Sequence, residues 1–405
     1  MARSPSIALL FTTFPKTSET FLQRDVAALQ AKGLDLRLYS LFGGGGMFNG
    51  LPVRRFSLWR LVPLFLFTIP WNCLRRPRIV RDLFEGVIGR APPAWLNFWE
   101  NMLGAGFAGC FYREFRRNPP DLIHAAWAGG PATAAWLLER ILGIPYSCGA
   151  HAYDLYEHGG DWWLMEKVAL ARFVQTSTES GRQFLIERGA DGRKIHVVRR
   201  GLASFPALKP LRADRRPLRL ICIARLVAKK GFDHQLRIYA GLRDAGFAFE
   251  ARIVGGGPLR AEIEAEVARL GLSGQVTLLG ELPQAEVWPQ LAWADVLLHT
   301  GVIAPSGDRD GLPNVIPEAM AAGVLVVSSP VSATTEAVQQ ERTGLVCDVD
   351  LPLAWRVALE RLATDDALAV RLRLAARRWV EENYDAHRNT DRLVECFRSA
   401  AQRTT

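Results

Sequence analysis

Short apolar runs of strand length recur along the chain, most of them followed by a stretch with helical spacing of apolar positions. Ser6–Phe11 (SIALLF) reads as a buried strand, the loop TTFPKTSET follows, and residues 19–32 carry a helical period that Gly33 stops. Residues 34–41 alternate as a second strand. After an interruption the pattern resumes with strands at 121–127, 145–150, 172–178 and 194–201 and helices at 131–142, 162–171 and 179–188. A second series starts with 218–225 (LRLICIAR). Its further strands are 251–255, 275–280, 294–300 and 324–329, with helices at 259–270, 283–293 and just before Gly323. Beyond Val331 the pattern is largely helical. Strands apolar on both faces and spaced by helices predict parallel sheets covered on both sides, hence doubly wound α/β domains.

Two such series in 405 residues predict two domains. Residues 205–219 hold three prolines and clustered charge, so they read as the linker between them. The four glycines at 43–46 lack G-x-G-x-x-G spacing and read as a mobile connection.

Residues 54–117 break the rhythm. They interleave Phe56, Trp59, Phe65, Phe67, Trp71, Trp95, Phe98, Trp99, Phe107 and Phe111 with eleven arginines, no lysine and four acidic residues. Much of the overall charge of +9 is concentrated there. Aromatic and aliphatic residues with an arginine-only polar face suit the headgroup region of an anionic membrane. The plainer alternative is a set of helices covering the domain with arginines on the surface. Nucleic acid is not expected as a partner, because RNA-stacking aromatics usually sit on strands. The longest apolar run, 61–74, is too short to span a bilayer and is broken by Pro63 and Pro70. The N-terminus lacks a secretory apolar core. The six cysteines are scattered without a C-x-x-C pair, so a reduced, cytoplasmic setting without zinc is expected.

Candidate chemistry gathers in 301–323, GVIAPSGDRDGLPNVIPEAMAAG, between two buried strands. Asn314 is placed to cap a helix with Pro317 in its first turn, where no amide hydrogen is needed. The free amides of that turn, beside Asp310 and Gly311, make an anion site, and Glu318 sits one turn in. Arg225 closes a strand, and Lys230 lies five residues on before Gly231; such a cation pair grips a diphosphate. The turn of Gly255, Gly256 and Gly257 lets the backbone approach a base or ribose. Two other arrangements carry less. Asp308-Arg309-Asp310 spells D-x-D, a manganese motif elsewhere, but it precedes a helix start already supplied with cations. His151, Asp154, His158 and Asp161 match no standard metal spacing. His124, at a strand end, reads as a satisfied structural histidine.

The stretches IARLVAKKGFD (223–233), IVGGGPLRAEIE (253–264) and DRDGLPNVIPEAMAAG (308–323) resemble the retaining, nucleotide-sugar-dependent glycosyltransferases of family 4. FPKTSETF (14–21), HAAWAGGPATAAWLL and GAHAYDLY resemble the branch that builds colanic acid and amylovoran. The resemblance implies a GT-B fold, two Rossmann-like domains facing across a cleft, here 1–205 and 206–385, with residues 386–405 returning to the first. It implies that Arg225 and Lys230 bind the donor diphosphate, that Asp310 contacts the donor sugar and that Glu318 holds the ribose. The backbone of Gly311, Leu312, Pro313 and Asn314 would meet sugar and phosphate. His151 would stand beside the transferred sugar, and Thr17, Ser18 and Glu19 would face phosphate and acceptor. Asp310 stands where the family has a glutamate, one methylene longer. The implied reaction moves a sugar from a UDP- or GDP-sugar to a lipid-linked or oligosaccharide acceptor, with retention and without metal or other cofactor, at the inner face of the plasma membrane. Two alternatives remain at this point: a nucleotide-sugar epimerase, and a non-catalytic partner in polysaccharide assembly.

Overall fold

The computed structural model describes residues 4–16, 19–57, 59, 62, 66–67, 69–75, 77, 81 and 91–402. It divides into two compact units, Met1–Arg200 with Ala386–Thr405, and Gly201–Asp385.

The first unit is built on β1 (Ser6–Phe11), β2 (Asp35–Ser40), β3 (Gly46–Phe48), β4 (Leu51–Arg55), β5 (Leu122–Ala125), β6 (Tyr146–Gly149), β7 (Val174–Thr176) and β8 (Ile195–Val197). The sheet order is β3-β4-β2-β1-β5-β6-β7-β8, parallel throughout except for the β3–β4 hairpin. All six residues of β1 are buried, as expected for a central strand covered on both faces. In register, Leu9 lies between Leu38 and His124.

Two sequence expectations fail here. The glycines at 43–46 are not a loose connection: Gly44 has φ +62°, and a Cβ there would enter the carbonyl oxygen of Phe14, while the Gly45 amide donates to that same oxygen at 2.9 Å. The α/β rhythm also runs further than 54, because β4 pairs in parallel with β2. The remainder of 54–117 includes a 23-residue helix, Trp95–Arg117. Its aromatic residues divide by position. Phe107, Phe111 and Phe115 are buried around Tyr39, whereas Trp95 is 70 % and Trp99 48 % exposed. Gly104 lets this helix meet the helix Gly130–Leu142 backbone to backbone, since a Cβ on it would strike the carbonyl of Gly130. The helix Ala386–Ala401 packs in this unit through Leu393, Val394 and Phe397.

The second unit is built on β9 (Leu218–Ile223), β10 (Phe249–Val254), β11 (Val276–Gly280), β12 (Val296–His299), β13 (Leu325–Ser328) and β14 (Leu345–Val346). The order β11-β10-β9-β12-β13-β14 is all parallel. One core lies on each face: Trp355, Tyr239 and Leu359 in one, Ile316, Met320 and Leu291 in the other. β14 is two residues long, too short to show a period in sequence. The proline-rich stretch before β9 is not a free linker. Arg377 donates to the Pro206 carbonyl at 2.6 Å, and the nearly buried Arg215 pairs with Asp366 at 2.6 Å and donates to the Leu362 carbonyl at 3.0 Å.

Candidate active site

In the second unit the strand order reverses at β9. Six residues of β9 pair with β10, but only Leu220 and Ile221 pair with β12. The β9–β12 ladder stops before either strand does, and ligands of such sheets gather beyond these carboxyl ends. The sequence candidates follow those ends: Arg225 after β9, Gly255 and Gly256 after β10, and Asp310 to Glu318 after β12.

The lysine turn is clamped to β12. Ala228–Lys230 forms one tight helical turn, and Gly231 follows at φ +62°. A Cβ on Gly231 would enter the Thr300 carbonyl oxygen, so only glycine allows this approach. The Val302 amide donates to the Lys229 carbonyl at 2.9 Å, and the Thr300 hydroxyl donates to the Lys230 carbonyl at 3.1 Å. Across the crevice, Gly255 sits at φ +142° with no room for a Cβ beside the Ala224 carbonyl.

These clamps bring two lysines to two aspartates. Lys229 Nζ lies 2.9 Å from Asp308 Oδ2, 3.0 Å from Oδ1 and 3.5 Å from Asp310 Oδ1. Lys230 Nζ pairs with Asp310 Oδ2. His299 Nε2 is 3.7 Å from that same oxygen, beyond hydrogen-bond distance, while its Nδ1 is 3.2 Å from Ser328 Oγ. Burial opposes ionisation of Asp310, but the charge of Lys230, and after it that of Lys229, outweighs it and holds the carboxyl well below the usual carboxylate range. Burial, with Lys230 in support and Asp310 opposing, lowers the pKa of His299, which is therefore neutral. Opposite charges at these separations interact by several kcal/mol near a protein surface. Arg225 is exposed, and its guanidinium has no ion-pair partner among the described residues.

The helix Val315–Ala322 begins after Asn314, whose side chain makes no capping hydrogen bond. Asn314 therefore holds the cap position through its backbone alone. Gly311, Leu312 and Pro313 are buried just ahead of it. Glu318, 6 % exposed, accepts from Gln284 Nε2 at 3.3 Å.

In the first unit the order reverses between β1 and β5. His151 follows β6, and its ring stands edge-on to Trp127 at 5.5 Å. Asp154 fixes the turn: one oxygen accepts from the His151 amide at 3.0 Å and the Ala152 amide at 2.9 Å, the other from the Ala128 amide at 3.1 Å. Burial, aided by Arg200 and His124, holds His151 neutral with its Nδ1 unpartnered. The rest of the His151–Asp161 set separates. His158 is exposed in a turn at φ +51°, and Asp161 forms a fully buried pair with Lys167, supported by Asn97 at 2.9 Å and Asn101 at 3.2 Å. His124 bonds Ser147 Oγ at 2.9 Å, and burial lowers its pKa to about 3. Glu100 places Oε2 3.2 Å from where a Cβ of Gly129 would stand; burial, then Asp161 and Asp154, push its pKa up to about 7. Glu19 pairs with Lys16 at 2.7 Å. Thr17 and Ser18 lie outside the described residues.

Sequence reasoning missed Lys229 and His299 and gave Asp308 only the metal reading. The doubled lysine of AKKG was the available signal for Lys229; His299 offered none beyond ending a buried strand.

Residues 207–379 match the family profile described as Glycosyl transferases group 1, and residues 18–203 match Glycosyltransferase Family 4. Between them the two profiles cover most of both α/β domains, whose fold is that of GT-B glycosyltransferase structures. The group 1 domain is the second unit, and the family 4 domain lies in the first. The chain is 34% identical over 218 residues to the amylovoran biosynthesis glycosyltransferase AmsK of Erwinia amylovora, covering 54% of each. It is 35% identical over 206 residues to WcaL of Escherichia coli, named for colanic acid biosynthesis, covering 50% of each. These matches span about half the length of the curated relatives. Among solved structures, Anabaena HepE with UDP and glucose matches at TM-score 0.70 and 17% identity, covering 97% of this chain and 100% of that one. Sucrose-phosphate synthase of Thermosynechococcus elongatus matches at 0.73 and 16%, covering 97% and 98%. At these identities the likeness concerns the fold, and both domains share it.

Proposed function

We propose that this GT-B protein transfers a sugar from a UDP- or GDP-sugar to a lipid-linked or oligosaccharide acceptor in exopolysaccharide assembly, with retention of configuration and without a metal. The observation that carries the reading is the group 1 site: lysines, an ionised aspartate and a helix start gathered at the β9/β12 strand reversal. AmsK and WcaL, named for exopolysaccharide synthesis, supply the pathway class, and HepE was solved with UDP and glucose.

In this reading Arg225, Lys230 and the amides at 311–314 hold the diphosphate. They stabilise it as the bond to the sugar breaks, and no protein carboxylate is needed as nucleophile. Asp310 meets a sugar hydroxyl, and Glu318 the ribose. The leaving phosphate oxygen takes the acceptor hydroxyl's proton on the face where the new bond forms, which preserves configuration. His151, neutral and buried beside Trp127, contacts the transferred sugar as a hydrogen-bonding group, not as a charge. Gly255 and Gly256 admit the nucleoside.

Calorimetry of UDP and GDP with EDTA present tests the donor site. Arg225→Ala/Lys230→Ala is expected to lose at least about 100-fold in affinity, since each hydrogen bond to a charged group contributes ~1.5–3 kcal/mol. Unchanged binding by the double variant would remove this reading. The acceptor side of the reading rests on the exposed aromatics of 54–117: Trp59 is 84 % and Phe67 71 % exposed, and Arg75 stacks on Trp71 at 4.3 Å. We propose that this surface rests on an anionic membrane at the cytoplasmic face, where a lipid-linked acceptor resides.

A further inference from the structure

Lys229 and Lys230 are neighbours in sequence, yet the structure gives them different surroundings. Lys230 has one carboxylate, at Asp310 Oδ2. Lys229 has two: both oxygens of Asp308 within 3.0 Å and Asp310 Oδ1 at 3.5 Å. Each oxygen of Asp310 therefore faces a different lysine. Lys229 is also the more enclosed, with 7 % of its side chain exposed, and its carbonyl is pinned by the Val302 amide at 2.9 Å.

This asymmetry matters once a donor binds. A lysine that turns to a diphosphate must leave its carboxylate. If Lys230 does so, Oδ2 of Asp310 is released toward the ligand, while Oδ1 keeps its partner. Asp310 would otherwise be left in a buried setting with Asp308 close by, and two neighbouring carboxylates disfavour each other's ionisation. Its side chain is short, so where the backbone of 308–310 stands decides what that carboxylate can reach.

Building on the donor-site reading, we propose that Lys229 is the standing counter-ion of Asp310. Together with Asp308 it is a positioning residue that aims Asp310 Oδ2 at the donor sugar while Lys230 serves the diphosphate. The D-x-D sequence 308–310 is in this account half of a lysine clamp. Lys229 thereby sets which sugar is accepted, not how tightly the nucleotide is held.

The test compares nucleotide with nucleotide sugar. Affinities for UDP, UDP-glucose and UDP-galactose (or GDP, GDP-mannose and GDP-glucose, whichever base the wild type binds) are measured for the wild type, Lys229→Met, Lys229→Arg and Lys230→Met. Lys229→Met is expected to hold the free nucleotide within about threefold, but to lose about tenfold for the preferred sugar, the scale of one hydrogen bond to a charged group. Its discrimination between the two epimers falls toward one. Lys229→Arg restores both. Lys230→Met loses the free nucleotide itself. Because Lys229→Met strands Asp308, the double variant Lys229→Met/Asp308→Asn, which removes both charges, is measured beside it and is expected to behave alike. Loss of free nucleotide by Lys229→Met as severe as by Lys230→Met would overturn the proposal, as would unchanged sugar discrimination. A wild type that binds neither nucleotide would overturn the donor-site reading, and this inference with it.

Discussion

The two strand reversals, one per domain, use one architecture for opposite electrostatics. In the group 1 domain the carboxyl ends of β9 and β12 carry charge at the margin of the fold: Lys229, Lys230, Asp308 and Asp310, with side chains 7–20 % exposed, form a compact neutral set with Arg225 exposed beside it. In the family 4 domain the ends of β1, β5 and β6 carry a neutral histidine, Trp127 and Tyr153, and the nearby ion pair, Asp161–Lys167, is fully buried. An exchangeable pair near the surface can be traded for a charged ligand. A pair sealed from water cannot, and holds structure instead. The same residue types thus do different jobs, and burial decides which.

The largest expected effect tests that contrast in stability. Asp161→Ala strands Lys167 without its carboxylate and sealed from water, and breaking one partner of a buried pair costs about 3–5 kcal/mol. Asp308→Ala leaves the enclosed Lys229 with a second carboxylate, Asp310 Oδ1 at 3.5 Å, so a smaller loss of about 1–2 kcal/mol is expected there, the scale of one lost hydrogen bond. Urea unfolding of both variants checks this; equal losses would break the comparison.

Next comes Gly231→Ala. It forces a Cβ toward the Thr300 carbonyl at a left-handed backbone position, a strain of ~1–3 kcal/mol. It should weaken UDP or GDP binding while leaving the melting of the family 4 domain unchanged.

A smaller effect concerns pH. Glu100 has a folded pKa raised to about 7 from 4.5, chiefly by burial. Its contribution to stability is therefore complete below the unfolded value and is lost as pH rises through about 7. The melting temperature should fall between pH 5 and pH 8, and Glu100→Gln should flatten that fall. Asp310, held low, loses its contribution only in strong acid, so the group 1 site should be indifferent over this range.

The smallest change in stability is expected for Trp95→Ser/Trp99→Ser, within about 0.5 kcal/mol, as for exposed positions generally. Binding to phosphatidylglycerol vesicles should nonetheless drop, while binding to phosphatidylcholine vesicles, weak already, should not. Wild-type affinity in the double variant would send the exposed aromatics of 54–117 back to a covering role.

Strand and helix periods in the sequence predicted both doubly wound domains, because burial on both faces of a parallel sheet leaves uninterrupted apolar runs such as SIALLF and ADVLLHT. The motifs at 223–233, 253–264 and 308–323 carried the resemblance to glycosyltransferases and put most of the donor-site candidates in order. Only the tertiary structure decided the rest. The β3–β4 hairpin and β14 are too short to leave a period, and the glycines at 43–46 looked loose until Phe14 was seen against them. The residues before β9 looked like a linker until Arg215 and Arg377 were seen to hold them. Lys229 and Lys230 find their carboxylates 79 and 80 residues away. Local periodicity reports which residues are buried, but an ion pair depends on which strand ends lie side by side. That is set by the order of strands in the sheet.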